Sequence, residues 1–492
     1  MHKHLRVTLA TATAAALTGG LLTFSAVTAS AATTAAKTVG SAAAAVSDED
    51  ADFNGDGLAD VAVSATGAYV DGKAAAGALT ILYGGGAHAT ITQNTAGVPG
   101  TAEKDDYFGT DTAYGDFDGD GYDDVAVGAQ GEDVGSDVDG GTVAILWGSA
   151  AGLKGGTTVA DPRPTKHDWF GSVLEAADFN GDGKDDLALG TYTAATVDVT
   201  RGGFTRAGAT GGSYTVSAAV QSGDGWGIRF LQSGDANGDG VEDLIVNGYE
   251  LDTVDGYNAN FWYPGSASGV KSASYQKLPA GFITDVGDTD SDGYDDIVFG
   301  LSWDDGIDGA QLGGAALIGH GTASGPAYGD VQTIDQDTSG VPGGGESGDG
   351  FGSELDLGDV DGDGNLDLVV GTPGEDLAGV ADAGSATVLY GAADGSGITG
   401  AGAKFLDQNT AGVPNSNEAN DVFGSDVHID DLDGDGRGDV IIGALGENAG
   451  NGAVYALRSN PSGTLTSSAG IYTSTVGIPG TGTPVLGANF AD

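Results

Sequence analysis

The chain has 492 residues, with 71 Asp and Glu against 17 Lys and Arg, 91 glycines and no cysteine. A formal charge of −54 argues against a nucleic-acid partner, whose phosphates need basic neutralisation, and against docking on an anionic membrane. Without cysteine there is no disulfide scaffold and no thiolate metal site, while 40% apolar residues still suffice for a sizeable core.

Residues 1–6 (MHKHLR) are basic, residues 7–27 are small or apolar and uncharged, and Ala29-Ser30-Ala31 supplies a small-x-small cleavage pattern. This tripartite arrangement predicts a signal peptide over 1–31 and hence a secreted, extracellular protein. With Thr11, Thr13, Thr18, Gly19, Gly20 and Thr23 in its middle, the segment is too weakly apolar for a stable membrane span. Residues 32–51, rich in Ala, Thr and Ser, read as a flexible lead-in. No second long apolar run follows, so no membrane insertion is expected.

From residue 52 onward one motif recurs seven times: DFNGDGLAD from Asp52, DFDGDGYDD from Asp116, DFNGDGKDD from Asp178, DANGDGVED from Asp235, DTDSDGYDD from Asp288, DVDGDGNLD from Asp359 and DLDGDGRGD from Asp431. Successive starts are 53 to 72 residues apart, which marks residues 52–492 as a repeat array.

The loop chemistry is readable by position. Side-chain oxygens at the first, third, fifth and ninth places and a backbone carbonyl at the seventh can wrap a hard cation of calcium size. The first place holds Asp52, Asp116, Asp178, Asp235, Asp288, Asp359 and Asp431; the third holds Asn54, Asp118, Asn180, Asn237, Asp290, Asp361 and Asp433. The fifth holds Asp56, Asp120, Asp182, Asp239, Asp292, Asp363 and Asp435, and the ninth Asp60, Asp124, Asp186, Asp243, Asp296, Asp367 and Asp439. Carbonyls would come from Leu58, Tyr122, Lys184, Val241, Tyr294, Asn365 and Arg437. Glycine at the sixth place permits the sharp turn, as in the first half of an EF-hand loop. A single such stretch is ordinarily a solvated acidic turn; seven in phase predict up to seven Ca²⁺ sites. Magnesium is disfavoured here because it keeps its waters in preference to a protein cage.

After each ninth residue comes a short apolar run, for example Val125-Ala126-Val127-Gly128 and Val440-Ile441-Ile442-Gly443. Such runs suit strands buried on both faces, whereas an EF-hand would continue into an amphipathic helix. A second apolar strand follows a Gly-rich turn, as in Leu79-Thr80-Ile81-Leu82-Tyr83-Gly84. Before most loops stands an aromatic-glycine pair: Phe108-Gly109, Phe170-Gly171, Trp226-Gly227, Phe351-Gly352 and Phe423-Gly424. Blade five departs, with Leu278-Pro279-Ala280-Gly281-Phe282-Ile283 in place of that pair. Units of three or four short antiparallel strands repeated radially describe an all-β, seven-bladed β-propeller. The stretch around Leu486-Gly487-Ala488-Asn489-Phe490 echoes the segment that precedes other loops, and the first loop lacks such a lead-in. The C-terminal strand is therefore expected to complete the first blade and close the ring.

The Phe-Gly opening, the D-x-D/N-x-D-G-x-x-D loop and the apolar strand after it resemble the FG-GAP repeats of integrin α-subunit heads and of secreted bacterial FG-GAP proteins. The resemblance covers essentially all of residues 52–492 and implies a seven-bladed propeller with calcium in its hairpin loops.

No catalytic constellation emerges. There is no G-x-S-x-G elbow and no H-E-x-x-H; His88, His167, His320 and His428 are scattered over different repeats. Glu132-Asp133, Glu375-Asp376 and Glu447 recur in phase and read as turn residues. Arg437-Gly438-Asp439 spells an integrin-recognised tripeptide, but Asp439 is committed to its loop. Trp226, in the Phe-Gly position, is expected in the core; Trp169, Trp262 and Trp303 are read as packing between blades, with any exposed ones available to stack on a sugar or anchor a protein. The expected function is a calcium-binding, monomeric binding or adhesion module for an extracellular protein or polysaccharide. The alternative is a propeller-fold enzyme, such as a polysaccharide lyase or phospholipase-like hydrolase.

Overall fold

A computed structural model describes residues 51–166, 168–223, 225–252, 257–329, 331–460, 464–467 and 470–490. The predicted signal peptide and all but the last residue of the lead-in lie outside the described residues, as does His167.

Each apolar run after a loop becomes the second strand of an antiparallel sheet, and seven such sheets are present. Blade two is representative: Phe108–Gly115, Asp124–Ala129, Thr142–Leu146 and Thr157–Val159 pair in that order. The acidic loop joins its first and second strands, and the same holds in every later blade. Strands such as Val61–Ala65, Asp124–Ala129, Asp367–Thr372 and Asp439–Ala444 are buried along their whole length. The cause is the radial stacking, which covers both faces of each blade with a neighbour. Alternation along one strand makes this explicit: Val125 and Val127 pack with Phe53, Leu79 and Phe108 toward blade one, whereas Ala126 packs with Leu174 and Leu187 of blade three. A hydrophobic cluster of this kind lies at each of the seven blade interfaces.

The ring closes as the sequence predicts. Blade one supplies Val61–Ala65, Ala78–Leu82 and His88–Ile91, and its missing inner strand comes from the far end of the chain. Phe490 pairs antiparallel with Val63; the Ser64 N–H donates to the Asn489 carbonyl at 2.9 Å, and the Gly487 N–H to the Ser64 carbonyl at 3.1 Å.

The Phe-Gly pair is an interface device. Phe108, Phe170, Phe351, Phe423 and Leu486 form parallel bridges to Gly77, Gly141, Gly314, Gly384 and Gly452 of the preceding blades. One residue on, the pair's glycine backs onto the glycine ending the preceding blade's second strand. A Cβ placed on Gly128 would lie 1.9 Å from the Gly171 carbonyl oxygen, so only glycine allows the blades to approach this closely.

Two expectations about the divergent blades are corrected. Trp226 is not in the core; it is 44% exposed and stacks on Tyr249 with ring centroids 4.6 Å apart. A bulge between Ile228 and Phe230 shifts the strand, and fully buried Ile228 packs over Gly190 in its place. Leu278-Pro279-Ala280 does not open blade five either, since Gln276–Ala280 is the outer strand of blade four. Blade five begins at once with Ile283–Gly287, leaving no room for a Phe-Gly turn. Trp262 is buried, in keeping with its expected packing role.

Candidate metal centre

Every predicted loop residue lies in a tight turn between first and second strands. The first Asp organises its loop by accepting backbone N–H groups: Asp52 takes those of Gly55, Asp56 and Gly57 at 2.6, 3.1 and 2.8 Å, and Asp431 those of Gly434, Asp435 and Gly436 at 2.7, 3.1 and 2.8 Å. The fifth Asp accepts the N–H of the seventh residue in five loops, from Leu58, Tyr122, Val241, Tyr294 and Asn365. The sixth glycine has φ between 80° and 91° in all seven, the left-handed region that side chains resist.

The ninth Asp is the floor of the site. All seven are at most 1% exposed, being the first residue of a buried strand or the residue just before it. One oxygen of each accepts a backbone N–H from the end of the third strand, namely Gly84, Gly148, Gly202, Gly265, Gly321, Gly391 and Ser459, at 2.7–2.9 Å. Burial, reinforced by the acids at the first, third or fifth places, pushes Asp60, Asp243 and Asp439 up to about 7 and Asp124 and Asp367 up to about 8. These carboxylates lack a counter-charge.

The third residue divides the loops into two kinds. Where it is Asn, its amide donates to the ninth carboxylate: Asn54 to Asp60 at 3.2 Å, Asn180 to Asp186 at 2.9 Å and Asn237 to Asp243 at 3.0 Å. Where it is Asp, no donor is available. Asp118 Oδ1, Asp124 Oδ2, Asp290 Oδ1, Asp361 Oδ1 and Asp439 Oδ2 are buried without a hydrogen-bond partner. In these four loops three carboxylates lie with ligand oxygens within 4.8 Å of one another: Asp116, Asp118 and Asp124; Asp288, Asp290 and Asp292; Asp359, Asp361 and Asp367; Asp431, Asp433 and Asp435. Oxygen-only donors, clustered, anionic and unmet, fit a hard divalent cation.

Several residues that sequence reading left aside belong to these sites. His320 Nδ1 lies 3.3 Å from both Asp290 and Asp296, making a third group in loop five. Arg206 of blade three bridges Asp118 and Asp120 at 2.7 Å, and Arg458 contacts Asp433 at 2.8 Å. Their one sequence signal is that His320 and Arg458 directly precede the residue that caps the ninth Asp. The recurrent Glu132, Glu375 and Glu447 each accept a glutamine amide, from Gln93, Gln336 and Gln408, at 2.6 Å. Asp439 of the Arg-Gly-Asp tripeptide is buried and accepts the Ser459 N–H.

The sequence profile described as FG-GAP repeat matches residues 51–82, 108–146, 170–210, 351–389 and 423–457, four of these opening on the Phe-Gly pair. The chain carries FG-GAP repeats. Blades four and five, where the FG-GAP profile has no match, are those that lose the Phe-to-Gly bridge. Integrin alpha pat-2 of Caenorhabditis briggsae is 31% identical over 240 residues, covering 42% of this chain and 19% of the relative; its Caenorhabditis elegans counterpart is 30% identical over the same length. The FG-GAP array thus spans about a fifth of these relatives. Among solved structures, an Agrocybe aegerita lectin, described for recognition of non-reducing terminal N-acetylglucosamine, aligns with TM-score 0.42 at 16% identity, over 73% of this chain and 80% of its own.

Proposed function

We propose that this FG-GAP propeller is a secreted, calcium-stabilised, monomeric module that binds an extracellular protein or polysaccharide. The observation that carries the calcium reading is the set of buried, partnerless carboxylate oxygens in loops two, five, six and seven. A cation with about six to eight oxygen ligands would satisfy them together with the first and fifth residues. No helix among the described residues is long and apolar enough to cross a membrane.

For the binding role, support comes from the integrin α likeness and from the arrangement of the loops. The metal loops gather at one end of the blades. The opposite end carries Trp226 on Tyr249 and Phe282 on Trp303, the latter pair with centroids 4.1 Å apart, and Arg229 over Tyr192 at 4.8 Å. Aromatic and arginine side chains of this kind anchor protein partners and stack on sugars. We place the binding face there, over blades three to five.

Calcium should couple to folding, since clustered carboxylates repel without it. Excess EDTA is expected to lower the thermal midpoint by ten degrees or more, on the order of several kcal/mol of linked stability; an unchanged melt would remove the calcium reading. Retention of the chain on immobilised polysaccharides and extracellular proteins, with and without calcium, tests the binding role. Trp226→Ala should abolish retention without moving the melt, and released fragments would instead make the protein an enzyme.

A further inference from the structure

The innermost strands of the seven blades surround a channel with its own concentration of acid. Asp111, Glu175, Glu354 and Asp426, with Thr112 and Asn489, border a cavity of about 80 Å³, and no cationic side chain is among its described lining. Part of this acid is structural. Asp111 accepts the Leu174 N–H at 2.9 Å, tying blade two to three; Asp426 accepts the Phe490 N–H at 2.7 Å, tying blade seven to one; Glu175 accepts the Ser233 hydroxyl at 2.5 Å, tying three to four.

Those ties leave two neutral oxygens unexplained. Thr112 is 3% exposed, and neither its Oγ1 nor the buried Oδ1 of Asn489 has a hydrogen-bond partner, although both residues line the acid-walled cavity. Buried polar atoms are ordinarily satisfied, so a partnerless pair at one place points to a missing group. An oxygen-only, negatively charged surround selects a hard cation. Burial holds Asp111 up to about 7 and Asp426 up to about 8, in keeping with carboxylates that want a counter-charge.

The geometry also selects among cations. In the loops three carboxylates converge within 4.8 Å; among the described residues no such trio forms in the channel. A calcium cage of six to eight protein oxygens is therefore out of reach, whereas magnesium binds through one or two carboxylates and keeps its remaining waters. At roughly 30 Å³ per water, the cavity has room for an ion with one or two waters.

We propose that the channel seats one partly hydrated divalent cation of the magnesium class between Asp111, Glu354 and Asp426, held by the free oxygens of Thr112 and Asn489. These residues come from blades one, two, six and seven, so the ion would sit across the seam where the two ends of the propeller meet.

The test uses the full chain with its loops saturated by calcium, titrated with Mn²⁺ and followed by the electron paramagnetic resonance of the free ion. Wild-type protein should bind one Mn²⁺ that Mg²⁺ displaces and that Asp426→Asn largely removes. Thr112→Val, which exchanges one hydroxyl for a methyl, should weaken that site by about tenfold or more. Asp426→Asn retains an oxygen for the Phe490 N–H; if it nonetheless fails to fold, Thr112→Val decides. Equal Mn²⁺ binding by wild type and Thr112→Val would overturn the proposal, leaving the cavity to water. Should calcium fail to fill the loops, total Mn²⁺ uptake rises, but the difference between wild type and Thr112→Val still isolates the channel.

Discussion

At the residue scale the third loop position decides how much a site needs its cation. An Asn amide there can hydrogen-bond the buried ninth carboxylate, so loops one, three and four are internally satisfied when empty. An Asp cannot, and leaves an orphaned anionic oxygen whose burial is costly. Asp361→Asn converts loop six to the first kind. In EDTA it should stabilise the protein by about 1–2 kcal/mol, because a donor replaces an unmet acceptor. With calcium it should reduce the gain on metal addition, since one charged ligand is lost; differential scanning calorimetry with and without calcium reads both. The spacing of ligands within a loop is local, so the sequence displayed it in full. His320 and Arg206 were not legible, because they reach the loops through tertiary contacts from 24 and more than 80 residues away.

At the scale of the element, two glycines do different work. Gly364, the sixth residue of loop six, has φ of 91° and open space where a Cβ would stand. Gly364→Ala should therefore cost only the left-handed backbone penalty, about 1–2 kcal/mol. Gly128 ends a strand at a blade interface, where a Cβ would strike a carbonyl oxygen at 1.9 Å. Gly128→Ala should force blades two and three apart and cost well over 3 kcal/mol, in the range of severe packing defects. Chemical denaturation of the two variants checks the ordering, and equal losses would mean that the close approach of blades is unimportant. The strands themselves were readable from short apolar runs with period-two burial. Trp226 misled because a bulge two residues later moves the buried position to Ile228, and such a slip reverses which side chains face inward.

Over the whole molecule, carboxylates around the channel link blade to blade. Besides the ties of Asp111 and Asp426, Asp285 accepts the Leu357 N–H at 2.6 Å and Asp356 that of Ile429. Burial raises Asp111 and Asp285 to about 7 and Asp426 to about 8, and raises Glu354 as well. The unfolded chain releases these protons near pH 4, whereas the fold keeps them until about pH 7–8. Their contribution to stability is thus full below pH 4 and is lost as pH rises to 8. His428 acts in the same direction: burial opposes its charge, but Asp356 at 3.1 Å and Asp430 outweigh burial and keep it protonated well above its ordinary range. In EDTA the thermal midpoint should fall steadily from pH 5 to pH 8, and the double substitution Asp111→Asn with Asp426→Asn should flatten that slope. A midpoint that rises over this range would contradict the assigned protonation.

What the sequence determined by itself was whatever a single repeat encodes: seven loops with their ligands in fixed register, the strand after each, the number of blades and the strand that closes the ring. Each of these rests on residues close in the chain, or on a motif that recurs in phase. Tertiary structure alone decided which aromatic side chains are exposed, which cations reach the acidic loops and what lines the channel. The channel brings together Asp111, Thr112, Glu354, Asp426 and Asn489 from four blades. No local spacing records that meeting, because ring closure, rather than the chain, makes them neighbours.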